Sequence, residues 1–470
     1  MTTELHYLTI GEASRLLRDG KLSPVELTRA FLDRIDTLDG TLECYITVLR
    51  DAAMSEARQA EAEILRGEYR GPMHGIPIAL KDLYDTEGVL TTASSKVMAD
   101  RVPSEDATTT ARLRASGAVL LGKLAMHEFA LGGPDPSNGF PLARNPWNLD
   151  HIPGGSSSGS GAGIAAGLCM GTLGSCTGGS IRGPASYCGI AGIKATYGRV
   201  SRYGVVPLSW TLDHCGPMTW TVEDSAIMLQ VIAGHDPKDP TTSRAPVPDY
   251  TTALTEDIRG LKVGVPRRFF FADDPRINKD TLSAVDDALK SLEDMGAHVE
   301  EVSVPMLEHA GAAQPVIMLS EAFAYHQNNL RSNPELFGEM VRARFRTGGL
   351  FASSDYAQAQ RVRNVLKREF AQALREVDVI ASPTMSNPAP RFDEMDAMTT
   401  SRVPSFTGPY NLTGMPAISV PCGFTPDGLP VGLQIAGKPF DEPTVFHVAY
   451  AYEQRSRLFE TRPPMSELAQ

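Results

Sequence analysis

Apolar positions in the first 66 residues recur at helical spacing. Leu8, Ile10, Ala13, Leu16 and Leu17 fall on one face, and Ser23-Pro24 is a start signal for a second amphipathic run over residues 25–38. The Ala- and Glu-rich segment 51–65 predicts a third helix. The pattern then changes period. Gly71-Pro72 marks a turn, and the short apolar run Gly75-Ile76-Pro77-Ile78-Ala79-Leu80 ends at Lys81-Asp82, which predicts a buried strand carrying a lysine at its end. Residues 107–125 predict a helix, a turn at Gly117 and a strand over 118–121.

Further along, residues 196–220 read as turn-rich and 222–233 as a helix, and the polar, proline-rich stretch 236–249 reads as a linker. A strand at 261–265, a helix over 278–294 and a strand over 298–304 form a β-α-β pattern. Residues 357–376 predict a long helix, followed by strands at 377–381, 417–420 and 431–435, the last two separated by Pro426-Asp427-Gly428. Alternation of this kind specifies an α/β class. There is no internal repeat and no low-complexity tail.

The most unusual stretch is residues 153–184, which carries no charged side chain before Arg182. It is long enough to cross a bilayer but is dominated by Gly, Ser and Thr, so it reads as tightly packed interior in which main-chain groups do chemistry. Apolar residues make up 42% of the chain and charged residues 21%, enough to build a globular core. A net charge of −12 argues against a broad footprint for nucleic acid or an anionic membrane. Cys44, Cys169, Cys176, Cys188, Cys215 and Cys422 form no CxxC pair and read as reduced, buried thiols. The N-terminal residues lack the basic start and apolar core of a secretion signal, so the expected compartment is the cytoplasm.

Several candidate motifs fail on context. Gly155-Ser156-Ser157-Ser158-Gly159 fits GxSxG, but residues 148–153 make a poor preceding strand. The glycines at 159, 161, 163 and 167 miss the dinucleotide spacing, and no phosphate loop or HExxH motif is present. Neither a metal nor a cofactor is therefore expected. Thr177-Gly178-Gly179-Ser180-Ile181-Arg182 says more. Paired glycines let successive N–H groups converge on an oxyanion, with a serine beside them to attack the same carbonyl; a plain tight turn is the alternative. A serine nucleophile needs a base, and a lysine drawn inward by its strand loses the preference for its charged form. The alternative for Lys81 is an ordinary surface lysine at a strand end.

Five stretches together resemble the amidase signature family. They are Gly75-Ile76-Pro77-Ile78-Ala79-Leu80-Lys81-Asp82, Pro153-Gly154-Gly155-Ser156-Ser157-Ser158-Gly159-Ser160, Thr177-Gly178-Gly179-Ser180-Ile181-Arg182-Gly183-Pro184-Ala185, Gly192-Ile193-Lys194-Ala195-Thr196-Tyr197-Gly198-Arg199-Val200-Ser201 and Pro416-Ala417-Ile418-Ser419-Val420-Pro421. The resemblance implies an α/β fold with a central mixed sheet covered by helices on both faces. It also implies one domain over 1–470, with a helical segment at about 1–66, a core at about 67–235 and a completing part at about 250–470. It further implies a Ser-cisSer-Lys triad: Ser180 the nucleophile, Ser156 the bridging serine after a cis bond from Gly155, and Lys81 the base. Backbone N–H groups of Thr177, Gly178, Gly179 and Ser180 would form the oxyanion hole, Arg182 would brace the loop, and Ser157 and Ser158 would tune the network. Neutral Lys81 would take the Ser180 proton through Ser156, leading to an acyl-enzyme that water hydrolyses. One departure is Cys176, where family members often carry Asp; nothing near it in the sequence suggests thiolate stabilisation.

The family includes both free-standing amidases and the glutamine-hydrolysing component, the A subunit, of glutamine-dependent transfer-RNA amidotransferases. Asn411-Leu412-Thr413-Gly414-Met415-Pro416 resembles that component, but the acid that helps hold the glutamine ammonium there falls near Pro404, with no acid from 399 to 410. The expectation is therefore a serine-dependent hydrolase of carbon–nitrogen bonds. Its substrate would be a small-molecule amide or carbamate, with no nucleic-acid or membrane partner, and homodimers are frequent among relatives. The alternative is the glutamine-hydrolysing component of the amidotransferase. Leu131 and Gly132 in the 129–140 loop, with Tyr187, Trp210 and Leu212, are candidates for an apolar acyl pocket, ordinary core packing being the other reading.

Overall fold

The computed structural model describes residues 4–395 and 403–465. Its frame is a mixed sheet of eleven strands. In chain order these are β1 (Tyr45–Val48), β2 (Pro77–Lys81), β3 (Val119–Leu124), β4 (Gly171–Cys176), β5 (Ala191–Lys194), β6 (His214–Thr219), β7 (Lys262–Val265), β8 (His298–Glu301), β9 (Val379–Pro383), β10 (Ala417–Phe424) and β11 (Pro430–Gly437). Across the sheet they run β1-β3-β2-β4-β6-β5-β10-β11-β9-β7-β8. The triples β3-β2-β4 and β9-β7-β8 are parallel and the remaining pairs antiparallel. Every residue of β2, β3, β4, β5, β6 and β9 is buried, so both faces of the sheet are covered. That is why β2, β3 and β9 read as largely apolar runs.

Local chemistry fixes the predicted elements. The helix Pro24–Leu42 begins at Ser23, whose hydroxyl accepts from the N–H groups of Val25 and Glu26. Gly428, at φ +79°, turns β10 into β11, and Thr425 N–H closes on the Leu429 carbonyl at 2.8 Å. Other elements carried no clear signal. β6 lies within the stretch read as turns because Gly216-Pro217 interrupts its pattern, and the helices Ala310–Ser332 and Glu339–Gly348 were not anticipated.

The linker reading of 236–249 is corrected. Asp236 is buried and accepts from Thr108 Oγ1 at 2.6 Å and Ser201 Oγ at 2.5 Å, so the segment starts fastened to the core that precedes it and is not a free linker. All six cysteines are free and buried. Among the described residues, no helix is long and apolar enough to cross a membrane. Of the segment read for a missing acid, positions 399–402 lie outside the described residues.

Candidate active site

Neighbouring parallel strands bring their C-terminal ends together, and β2 and β4 are such a pair, with Leu80 opposite Leu173. Lys81 ends β2, and Ser175-Cys176 end β4. Between the two strands in sequence, Ser156 and Ser157 precede the helix Ser158–Ala165. That helix approaches very closely: a methyl on Gly159 would collide with the Cys44 carbonyl oxygen and stand 2.8 Å from Ala125 N. Only glycine permits this contact.

The result is a buried lysine amine surrounded by hydroxyls. Lys81 Nζ donates to Ser156 Oγ at 2.8 Å, Ser175 Oγ at 2.9 Å and Ser157 Oγ at 3.0 Å. Lys81 has no exposed surface, and burial lowers its pKa from 10.5 to about 7, with only partial opposition from Cys176, Asp213 and Cys215. The amine is therefore available as a neutral base near neutral pH. The Gly155–Ser156 peptide is cis, and the Ser156 carbonyl accepts from His127 N–H at 3.0 Å.

β4 runs on into the loop 177–180. Gly179 adopts φ +146°, and a methyl there would collide with Thr407 Oγ1. Thr407 Oγ1 in turn donates to the Gly178 carbonyl at 2.6 Å. Among the described residues, the N–H groups of Gly178, Gly179 and Ser180 donate to no protein acceptor, which leaves them free for an anionic oxygen. Thr177 Oγ1 donates to Asp213 at 2.6 Å, and Asp213 also accepts from Leu208 and Ser209 N–H groups. Ser180 is half-buried. No hydrogen bond joins its hydroxyl to Ser156 among the described residues.

Behind the loop, Arg182 is fully buried and donates to the Gln434 amide oxygen, to Asn411 Oδ1 at 2.5 Å and to the Thr407 carbonyl at 3.0 Å. Its Nη2 also lies 3.7 Å from Cys176 Sγ. The sequence-based view of Cys176 is corrected accordingly. Burial alone would raise its pKa, but Arg182 and Lys194 outweigh that effect and lower it.

The expected pocket residues separate. Trp210 is 47% exposed and helps to line a cavity of about 550 Å³ that reaches Ser175. Leu131 and Tyr187 are buried, and Gly132 packs against Met340; none of the three lines that cavity. Its walls mix Val205, Val206 and Leu208 with Arg202, Lys238, Asp213 and Asp239, so it is less apolar than expected. Ser175 was missed, although a serine inside a wholly buried strand was a usable signal. Thr407 and Gln434 gave no signal, and Asn411 stood out only within a resemblance that assigned it no role, since they reach the site from more than two hundred residues away. Among the described residues, no cluster of His, Cys, Asp or Glu could hold a metal.

Buried amine, serine loops and mixed sheet together define a hydrolase of carbon–nitrogen bonds. The chain belongs to the amidase family, whose model matches residues 26–446. It is similar to the A subunit of glutamyl-tRNA(Gln) amidotransferase from Moorella thermoacetica, 42% identical and covering 98% of this chain and 99% of the relative. The solved structure of the corresponding protein from Thermotoga maritima superimposes with a TM-score of 0.81 at 36% identity, over 97% of this chain and 96% of that one. A peptide amidase bound to the competitive inhibitor chymostatin superimposes with a TM-score of 0.85 at 30% identity, over 97% and 98%.

These relatives overturn the partner expectation of a small-molecule amide or carbamate alone, without nucleic acid. The Moorella and Thermotoga proteins bear the name of one component of a transfer-RNA amidotransferase. The expectation rested on one missing acid near Pro404 and on net charge. Net charge bears on direct nucleic-acid contact and not on membership of a larger assembly.

Proposed function

We propose that the chain is the glutamine-hydrolysing component of a transfer-RNA-dependent amidotransferase, working by a Ser180–Ser156–Lys81 relay. Neutral Lys81 draws a proton from Ser156 as Ser156 takes one from Ser180, and Ser180 attacks the side-chain amide carbon of glutamine. The Ser156–Ser180 link forms when a substrate carbonyl occupies the loop, as catalytic hydrogen bonds often tighten only in the complex. The oxyanion is received by N–H groups of residues 177–180, each donor contributing about 3 kcal/mol to the transition state. The relay then returns the proton to departing ammonia, and water cleaves the acyl-enzyme.

The observation that carries the reading is the fully buried Lys81 amine within 3.0 Å of three serine hydroxyls. Likeness to the Moorella and Thermotoga proteins, over nearly the whole chain, supports the choice of substrate and assembly. Such a role would place the chain in the cytoplasm.

The test is ammonia release from glutamine by the chain with and without the other amidotransferase components and glutamyl-tRNA. Wild type should hydrolyse glutamine in the assembly, and Ser180→Ala should not. An assembly that never hydrolyses glutamine, or a Ser180→Ala chain that does so at the wild-type rate, defeats the proposal.

A further inference from the structure

The strongest unexplained feature is the guanidinium of Arg182. It is a permanent charge with no exposed surface, and its Nε has no partner. Its contacts are the amide oxygens of Gln434 and Asn411, the Thr407 carbonyl, the Cys176 sulfur and the face of the Tyr410 ring, 5.8 Å from its centre; among the described residues no carboxylate pairs with it. A buried cation surrounded only by neutral dipoles is disfavoured, and an adjacent ionisable acid relieves it. Of the ionisable acids in contact with it among the described residues, burial pushes the Tyr410 phenol up to about 12, which leaves Cys176.

The other charged and titratable groups around Cys176 leave that pairing open. Lys81 approaches from β2 with its pKa at about 7. Lys194, from β5, is pushed well below its ordinary value by burial and by Arg182, and its amine is spent on the Ala195 and Met415 carbonyls. From β6, His214 stands opposite Cys176 in the ladder and burial keeps it neutral. Asp213, also at the start of β6, is turned to Thr177, Leu208 and Ser209, and burial pushes the Cys215 thiol up to about 12. In the thiol form, Cys176 Sγ donates to Asn411 Oδ1 at 3.5 Å; on ionisation that oxygen passes wholly to Arg182.

We propose that Cys176 is held as a thiolate that neutralises Arg182, and that this ion pair positions the loop 177–180 and adjusts the Lys81 base. The inference rests on the assignment of that loop and lysine to the hydrolytic site. Cys176 itself touches no reacting atom and is a positioning residue. Ionisation needs only loss of the thiol proton to solvent. Its negative charge favours the Lys81 ammonium, so it raises the pH at which the base becomes active.

The test is the ultraviolet thiolate absorbance of the native protein against pH, compared with Cys176→Ser and with the unfolded chain. Burial pushes the other five thiols upward, so as pH is raised the native protein should show one thiolate at a lower pH than an ordinary thiol, and Cys176→Ser should lack it. In the glutamine assay, Cys176→Ser should lose about a hundredfold in kcat with KM little changed, as for a displaced reacting group. Its rising pH limb should move to lower pH, and Cys176→Asp should restore most of the rate. Absence of the thiolate signal overturns the proposal, and so does a Cys176→Ser protein with wild-type kcat and pH profile. If Cys176→Ser does not fold, the native-against-unfolded absorbance of the wild type decides alone. Ser180→Ala should keep the thiolate signal, so failure of the serine relay and failure of the ion pair are told apart.

Discussion

Replacing Lys81 with methionine should abolish hydrolysis and yet stabilise the protein at neutral pH. Burial lowers the Lys81 pKa from 10.5 to about 7. Between those values the unfolded chain binds a proton that the native chain refuses, so wild-type stability falls as pH drops from about 10.5 to about 7. At ~1.36 kcal/mol per pH unit the cost reaches about 5 kcal/mol below pH 7 and vanishes above 10.5. Against it stand the three hydrogen bonds from Nζ to Ser156, Ser157 and Ser175, together about 3 kcal/mol. Methionine has similar volume and none of these terms.

Lys81→Met should therefore be more stable than wild type by about 2 kcal/mol below pH 7, a rise of roughly 2 °C in melting midpoint for a chain of this length. It should be less stable by about 3 kcal/mol above pH 10.5, with the two curves crossing near pH 8. Thermal melts of both proteins across that range measure the difference directly. A difference that does not vary with pH, or a wild type more stable throughout, would show that the amine is not held neutral by burial.

The same geometry sets three further expectations. Gly179→Ala, which drives a methyl into Thr407 Oγ1 at φ +146°, should cost at least about a hundredfold in kcat; an unchanged rate would show that the loop conformation does not matter. Asp213→Ala frees Thr177 and removes a negative charge that raises the Lys81 pKa, so kcat should fall about tenfold and the rising limb of the pH–rate profile should move to lower pH. Glu128 is raised to about 7 by burial, so the native state loses stability as pH rises from about 4.5 to about 7; Glu128→Gln should gain up to about 3 kcal/mol above pH 7 and little below pH 4, as measured by melts.

Parts of this arrangement are visible in the sequence because burial leaves a compositional mark. The run Ile76 to Leu80 announces a strand covered on both faces, and the charge-free stretch up to Arg182 announces packing that excludes water. Ser156 is legible only through resemblance, and Ser180 stands out beside a glycine pair that fits a plain tight turn equally well. β6 was hidden by Gly216-Pro217. The braces Thr407, Asn411 and Gln434 were hidden by distance along the chain, because their roles exist only once β10 and β11 pair beside β5. Cys176 and Arg182 stand six residues apart, and only the reversal of the loop into the helix Arg182–Cys188 brings sulfur and guanidinium into contact.

The charge-free stretch also has a chemical reason. A carboxylate in place of Ser156, Ser157 or Ser175 would face Lys81 directly across a dry interior, where an opposite charge holds an amine protonated far above neutral pH. Uncharged hydroxyls can accept from the two N–H groups of a neutral amine and donate to its lone pair, so they satisfy Lys81 without requiring its charged form, and burial brings its pKa to about 7. The acids that do stand nearby are turned elsewhere: Asp213 to Thr177 and two backbone N–H groups, and Cys176 to Arg182. Their influence on Lys81 is therefore partial. The glycines and serines of residues 153–181 thus set both the close approach of the backbone and the electrostatics of the base.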